Sequence, residues 1–118
     1  MITNQAGIAR GFYTENEFKV LSDWMVSQFE QRNILISKVY YCPHHPDITG
    51  PCDCRKPEPG MILKAAGEFY LDLSESFLVG DHESDLKAGE NAGIPKNYLF
   101  SGEADFDKII NLEQTGLT

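Results

Sequence analysis

Cys42 and His44 form a Cys-x-His pair, and after a gap of seven residues Cys52 and Cys54 form a Cys-x-Cys pair. Three thiolates and an imidazole make a soft, tetrahedral donor set, the kind that a closed structural zinc site uses. His45 lies within reach of the same turn and is the alternative imidazole, although the symmetry of the two pairs favours His44. All three cysteines fall within thirteen residues, an odd count that fits reduced thiols on a metal better than disulfides and points to the cytoplasm. Pro43, Pro46, Gly50 and Pro51 oppose regular structure here, so a metal is a source of order for the loop. The competing reading is a reduced, metal-free loop. Arg55 and Lys56 follow the last cysteine directly, two fixed cations on a backbone that the metal would hold still and aim at a phosphate.

A second constellation follows the short apolar run Phe77-Leu78-Val79, which predicts a buried parallel strand. The run ends in Gly80-Asp81-His82-Glu83-Ser84-Asp85, acidic residues at the carboxyl end of a strand and before a helix predicted from Ser84 to Asn91. Hard carboxylate oxygens there suit Mg²⁺, which typically takes one or two carboxylates together with a substrate phosphate. Asp81 is the favoured ligand. The alternative makes Asp81 and Ser84 helix caps and Asp85 a first-turn charge, and the sequence does not decide the role of Asp85.

Other elements must position these groups. Thr14 with Glu17 is a capping-box pattern, and Phe18, Leu21, Trp24, Met25 and Phe29 recur at helical spacing, predicting a helix over about 14–32 that buries that face, Trp24 included. Lys38-Val39-Tyr40-Tyr41 is the next strand. Pro59-Gly60 opens a helix over about 61–70 with Met61, Leu63, Ala65, Ala66 and Phe69 as its apolar positions. Gly67 there implies close packing. Gly93 closes the later helix and Pro95 prevents its continuation. Tyr98-Leu99-Phe100 is a further strand, Phe106, Ile109 and Ile110 suggest a final helix, and the tail from Glu113 reads as frayed. At the start, Thr3-Asn4-Gln5 before Ala6-Gly7 reads as the polar mouth of a loop leaving a strand, although a plain polar tail explains it as well.

At 118 residues, with 42% apolar and 24% charged residues, the chain predicts one globular domain with a real core. A net charge of -8 argues against a nucleic-acid partner. No apolar run is long enough for a membrane span, and no signal-peptide pattern is present. Strands alternating with helices predict an α/β architecture with a parallel, Rossmann-like sheet.

Together these motifs resemble the haloacid-dehalogenase phosphatases, and more narrowly the heptose 1,7-bisphosphate phosphatases and the neighbouring histidinol-phosphate phosphatases. The residues that carry the resemblance are Thr3 to Gly11, Tyr40 to Pro46, Cys52 to Pro57, Pro59-Gly60-Met61 and Gly80-Asp81. It implies a haloacid-dehalogenase-like sheet flanked by helices and a Mg²⁺-dependent phosphatase of sugar phosphate monoesters, a small-molecule partner. It further implies that Thr3 hydrogen-bonds the transferring phosphoryl group, with Asn4, Gln5 and Ala6 lining the substrate pocket. Lys56 would neutralise phosphoryl charge and Arg55 would recognise substrate. Asp81 would bind Mg²⁺, and Cys42, His44, Cys52 and Cys54 would hold structural zinc within a loop at 42–54. Ala6 stands where the family commonly has Ser, and His82, a substrate-pocket position, stands where it often has Lys.

The family attacks phosphorus with the first Asp of an Asp-x-Asp-Gly-Thr motif and uses the second as acid/base, and the 118 residues contain no such motif. The resemblance therefore implies a domain over 1–118 that is incomplete at its N-terminus. The strands at 38–41 and 77–79 would lack the family's central strand, and the isolated chain would be a weak or inactive phosphatase. Three readings follow: a truncated phosphatase, which is preferred; a split enzyme completed in trans by a segment carrying the Asp-x-Asp strand; or a zinc-bearing module that binds sugar phosphates or a protein.

Overall fold

The computed structural model describes residues 1–101. The backbone divides into two compact units, Met1–Arg55 and Lys56–Thr118. The helix expected around Phe106 to Ile110 and the tail from Glu113 lie outside the described residues.

In the first unit, β1 (Ile2–Asn4) and β2 (Tyr40–Cys42) pair in parallel, with Ile2 opposite Tyr40, Thr3 opposite Tyr41 and Asn4 opposite Cys42. Tyr40 N–H donates to the Met1 carbonyl and Gln5 N–H to the Cys42 carbonyl, both at 2.8 Å, so the ladder runs past both ends of the assigned strands. Thr3 and Asn4 are therefore strand residues rather than loop or tail, and β2 begins two residues later than the β-branched run suggests. The crossover is α1 (Glu15–Glu30). Its capping box is present as expected: Glu17 N–H donates to Thr14 Oγ1 at 3.1 Å, and Thr14 N–H to Glu17 Oε1 at 3.2 Å.

The face that α1 buries is narrower than the one its periodicity suggests, with Met25 and Phe29 half-buried. Phe18 is buried, with its ring 4.9 Å from that of Tyr41, and Ser22 is buried one turn on. Leu21 and Trp24 are 61% and 60% exposed. Two parallel strands of three residues each offer α1 a narrow surface. One line of side chains fills it, and the adjacent line, although equally apolar, stays outside.

The second unit begins with α2 (Gly60–Phe69), continues through a 3₁₀ turn (Leu73–Glu75), and then runs β3 (Phe77–Gly80), α3 (Glu83–Ala92) and β4 (Lys96–Leu99). β3 and β4 pair in parallel from Phe77–Lys96 to Gly80–Leu99. Buried Met61, Ile62, Ala88 and Ile94 form its apolar centre. Leu63 and Phe69 are exposed, and neighbouring Ile62 takes the inward position instead. Open space surrounds Gly67, so no close packing explains it. β3 is parallel as expected but less enclosed, with Phe77 exposed. α3 starts and ends within about a residue of expectation, and Gly93 closes it at φ 92°, a left-handed conformation that glycine adopts without a Cβ penalty. β4 begins at Lys96, two residues before the apolar run. Among the described residues no helix is long and apolar enough to cross a membrane.

Candidate functional site

The first unit gathers the cysteine and histidine ligands. Cys42, fully buried, ends β2, and a loop without helix or strand brings His44, Cys52 and Cys54 back to it. Cys42 Sγ lies 3.5 Å from His44 Nδ1 and 3.5 Å from Cys52 Sγ. His44 Nδ1 lies 3.2 Å from Cys54 Sγ, and Cys54 Sγ lies 3.6 Å from Cys52 Sγ. A tetrahedral ion with metal–sulfur bonds of about 2.3 Å and metal–nitrogen bonds of about 2.0–2.1 Å has edges of roughly 3.5–3.8 Å, close to these separations. The donor set therefore fits such an ion. His45 does not join it. Its Nδ1 accepts from Asp47 N–H at 3.1 Å, and its backbone N–H donates to Thr49 Oγ1 at 2.9 Å, which closes a turn inside the loop.

The ionisation of the cluster points the same way. Burial pushes the Cys42 thiol up, and burial together with the neighbouring sulfurs pushes Cys54 up. Cys52 is brought down to about 7: burial opposes its thiolate, but hydrogen bonds from the Arg55 backbone and the other two thiols outweigh it. Three sulfurs this close do not ionise together on their own. A dication in their midst removes the conflict.

Thr3 and Asn4 sit on β1, with Gln5 and Ala6 directly after it. Gln5 Nε2 donates to Thr3 Oγ1 at 2.9 Å, and the Tyr13 hydroxyl donates to Gln5 Oε1. Tyr13 carries no motif, and nothing in the sequence announces that its phenol reaches back to Gln5. Arg55 keeps a buried guanidinium nitrogen, Nη1, without a hydrogen-bond partner. A buried N–H left unpaired costs free energy, so an acceptor is owed at that position.

The second unit centres on Asp85, whose role the sequence leaves open. Asp85 is 6% exposed at the third position of α3 and turns back to the end of β3. Its Oδ2 accepts from Asp81 N–H at 3.1 Å and from His82 N–H at 3.2 Å, and its Oδ1 pairs with Lys56 Nζ. Both side chains of the ion pair are largely enclosed, at 12% and 9% exposure. Asp81 and His82 stand outside this hub, exposed, with His82 Nδ1 2.7 Å from Asp81 Oδ1. The hydrogen bond with His82 is the main cause that holds the Asp81 carboxyl below its ordinary range. Asp81, His82 and Asp85 offer ligand atoms within 4.8 Å of one another. Asp85 is committed to Lys56 and two backbone amides, whereas the Asp81 carboxylate stays exposed beside His82.

Comparison with known proteins connects these arrangements to a family. Over 104 residues the chain is 45% identical to D-glycero-alpha-D-manno-heptose-1,7-bisphosphate 7-phosphatase of Photorhabdus laumondii, covering 84% of this chain and 57% of that one. It is 51% identical over 101 residues to the enzyme of the same name from Campylobacter jejuni, covering 86% and 56%. The chain thus spans about half the length of these curated relatives. The crystal structure of D,D-heptose 1,7-bisphosphate phosphatase from B. bronchiseptica, complexed with magnesium and phosphate, superposes with a TM-score of 0.78 at 32% identity, covering 93% of this chain and 60% of that one. The α/β fold is that of the haloacid-dehalogenase-like phosphatases. The HAD-hydrolase-like family profile matches residues 53–111, half of the sequence, which take in Cys54, Arg55, Lys56, β3 and the Asp81–Asp85 turn. The chain belongs to the HAD-hydrolase-like family.

Proposed function

We propose that this protein serves the Mg²⁺-dependent hydrolysis of a sugar phosphate monoester, the 7-phosphate of D-glycero-D-manno-heptose 1,7-bisphosphate. The observation that carries the reading is the enclosed Lys56–Asp85 pair at the carboxyl end of β3, with the exposed Asp81 carboxylate beside it. It supplies a fixed cation for phosphoryl oxygens and a separate carboxylate for a divalent ion. The choice of sugar rests on the names of the relatives.

In this reading residues 1–118 belong to one phosphatase domain, with a structural zinc loop at 42–54 held by Cys42, His44, Cys52 and Cys54. Reduced thiols held on a metal in that loop support a cytoplasmic location. Asp81 takes Mg²⁺, which when bound neutralises developing charge on the phosphoryl oxygens. Thr3 donates a hydrogen bond to the phosphoryl group, and Lys56 shares its ammonium between Asp85 and a phosphoryl oxygen. Arg55 satisfies its orphaned Nη1 on an anionic oxygen of the substrate. Asn4, Gln5, Ala6 and His82 contact the sugar phosphate. Residues 1–118 hold no Asp-x-Asp-Gly-Thr, so the carboxylate that attacks phosphorus comes from outside them. As its oxygen bonds to phosphorus, the bond from phosphorus to the sugar oxygen breaks and that oxygen takes a proton from the second Asp of the motif. Water, giving its proton back to that second Asp, then bonds to phosphorus and breaks the bond from phosphorus to the carboxylate oxygen, which frees phosphate and restores the carboxylate.

The test is phosphate release from heptose 1,7-bisphosphate with Mg²⁺, with and without an added segment bearing Asp-x-Asp-Gly-Thr. Activity that requires the segment, and that Lys56→Ala abolishes, supports the reading. No release in either case, with zinc still bound, would favour a binding module.

A further inference from the structure

The hydrogen bonds between residues 3 and 13 have a direction, and the direction matters. Tyr13 O–H donates to Gln5 Oε1, which fixes the amide so that its other end, Nε2, presents a donor. That donor lies 2.9 Å from Thr3 Oγ1. The Thr3 oxygen is thus engaged as an acceptor, while its own hydrogen has only a distant partner, the Asn4 carbonyl at 3.5 Å. A separation at the outer limit of a hydrogen bond is readily given up for a charged acceptor.

The geometry that allows this is built into the loop. A Cβ at Gly7 would lie 2.5 Å from Tyr13 Cε1 and 3.1 Å from its hydroxyl, so glycine at that position lets the ring close onto the chain. Phe12 N–H donates to the Gly7 carbonyl at 2.9 Å and Ile8 N–H to the Gln5 carbonyl at 3.1 Å, which folds residues 5–12 back on themselves and returns Tyr13 to Gln5. Gln5 and Tyr13 also line a cavity of about 400 Å³ with Glu17, Phe18 and Leu21, so the relay borders open volume.

We propose that Tyr13 and Gln5 are positioning residues: Tyr13, acting through the Gln5 amide, holds the Thr3 hydroxyl as a hydrogen-bond donor to the phosphoryl group. The inference rests on the reading of Thr3 as a phosphoryl contact. Without the phenol hydroxyl the Gln5 amide is free to turn over. Its Oε1 then accepts the Thr3 hydrogen, which is lost to the ligand.

Tyr13→Phe is the test, because it keeps the ring against Gly7 and removes only the hydroxyl. The ¹⁵N-labelled full chain is titrated with inorganic phosphate in the presence of Mg²⁺, and amide shifts, including the Gln5 side-chain NH₂ pair, are followed by NMR. Tyr13→Phe is expected to move the Gln5 NH₂ signals before phosphate is added, and to weaken phosphate binding about threefold to tenfold. Thr3→Val is expected to weaken binding at least as much, and Tyr13→Phe in that background to add nothing. An equal loss from Tyr13→Phe in both backgrounds would mean a merely structural hydroxyl and overturn the relay, as would no loss at all. If Thr3→Val is harmless, or the unsubstituted chain takes no phosphate, the contact assigned to Thr3 falls and the relay falls with it. If Thr3→Val weakens binding and Tyr13→Phe does not, the contact stands and only the relay is wrong.

Discussion

β2 and β3 each end in a polar constellation, and the two are held in different ways. After Cys42 the chain runs through a proline- and glycine-containing loop with no helix or strand, pinned by the His45–Thr49 turn and by side chains that converge on one point. After Gly80 the chain turns directly into α3, and Asp85 bonds two backbone amides and an enclosed ammonium. The first arrangement brings three thiols that oppose one another's ionisation together with an imidazole. The second carries its own counter-charge. One region gathers donors that could hold a metal ion, whereas the other is tied together by its own ion pair and backbone hydrogen bonds.

Metal removal is the severest way to break that contrast. A chelator, or Cys52→Ser, is expected to release the ion and unfold the loop at 43–54. The loss is several kcal/mol in a loop of this kind, where binding free energy is folding free energy. Amide exchange checks it: the loop residues and β2 should lose protection while β3, α3 and β4 keep theirs. Equal loss in both would mean that the second region is no more self-sufficient than the first. Loss in neither would mean that the loop needs no metal.

Asp85→Ala probes the other side. It removes the carboxylate of an enclosed ion pair and leaves two N–H groups at the strand end without that acceptor, a loss of about 3–5 kcal/mol for a buried pair broken on one side. Asp85→Asn keeps an acceptor for the amides and should cost less. Urea unfolding of the two variants and the parent chain measures both. A cost below about 1 kcal/mol for Asp85→Ala would remove the hub from its place at the centre of the second region.

The site was legible in the sequence wherever a single residue type determines the chemistry. Soft ligands at matched spacing pointed to the convergence of Cys42, His44, Cys52 and Cys54, and Thr14 with Glu17 and Gly93 marked helix ends by local bonding rules that hold in any fold. Asp85 was harder. Its sequence position allows an exposed first-turn charge as readily as a buried anchor, and only the path of Lys56 decides between them. Tyr13 was invisible, because the contact with Gln5 depends on how residues 5–12 curl. The fold was legible in its alternation of strand and helix and less so at strand ends. Thr3 and Asn4 pair because β2 lies beside them, a long-range fact that no local polarity reveals. Burial was the least legible, since apolar periodicity names a face without saying how wide a surface awaits it. Leu63 and Ile62 are equally apolar neighbours, and tertiary position alone sends Ile62 inward.

The smallest expected effect bears on that last point and sharpens the account of the first region. If the narrow β1–β2 pair receives only one line of side chains, Trp24 at 60% exposure contributes little to the fold and Phe18 at 9% contributes much. Trp24→Gln should then shift the stability of the metal-loaded chain by no more than about 0.5 kcal/mol, whereas Phe18→Ala should cost about 3 kcal/mol or more. Thermal unfolding of the two variants side by side gives the comparison. Similar costs would restore Trp24 to the core that its helical spacing suggests, and would mean that α1 packs through a broader face. A neutral Trp24 would leave the order of the first region resting on Phe18, Tyr41 and the metal loop.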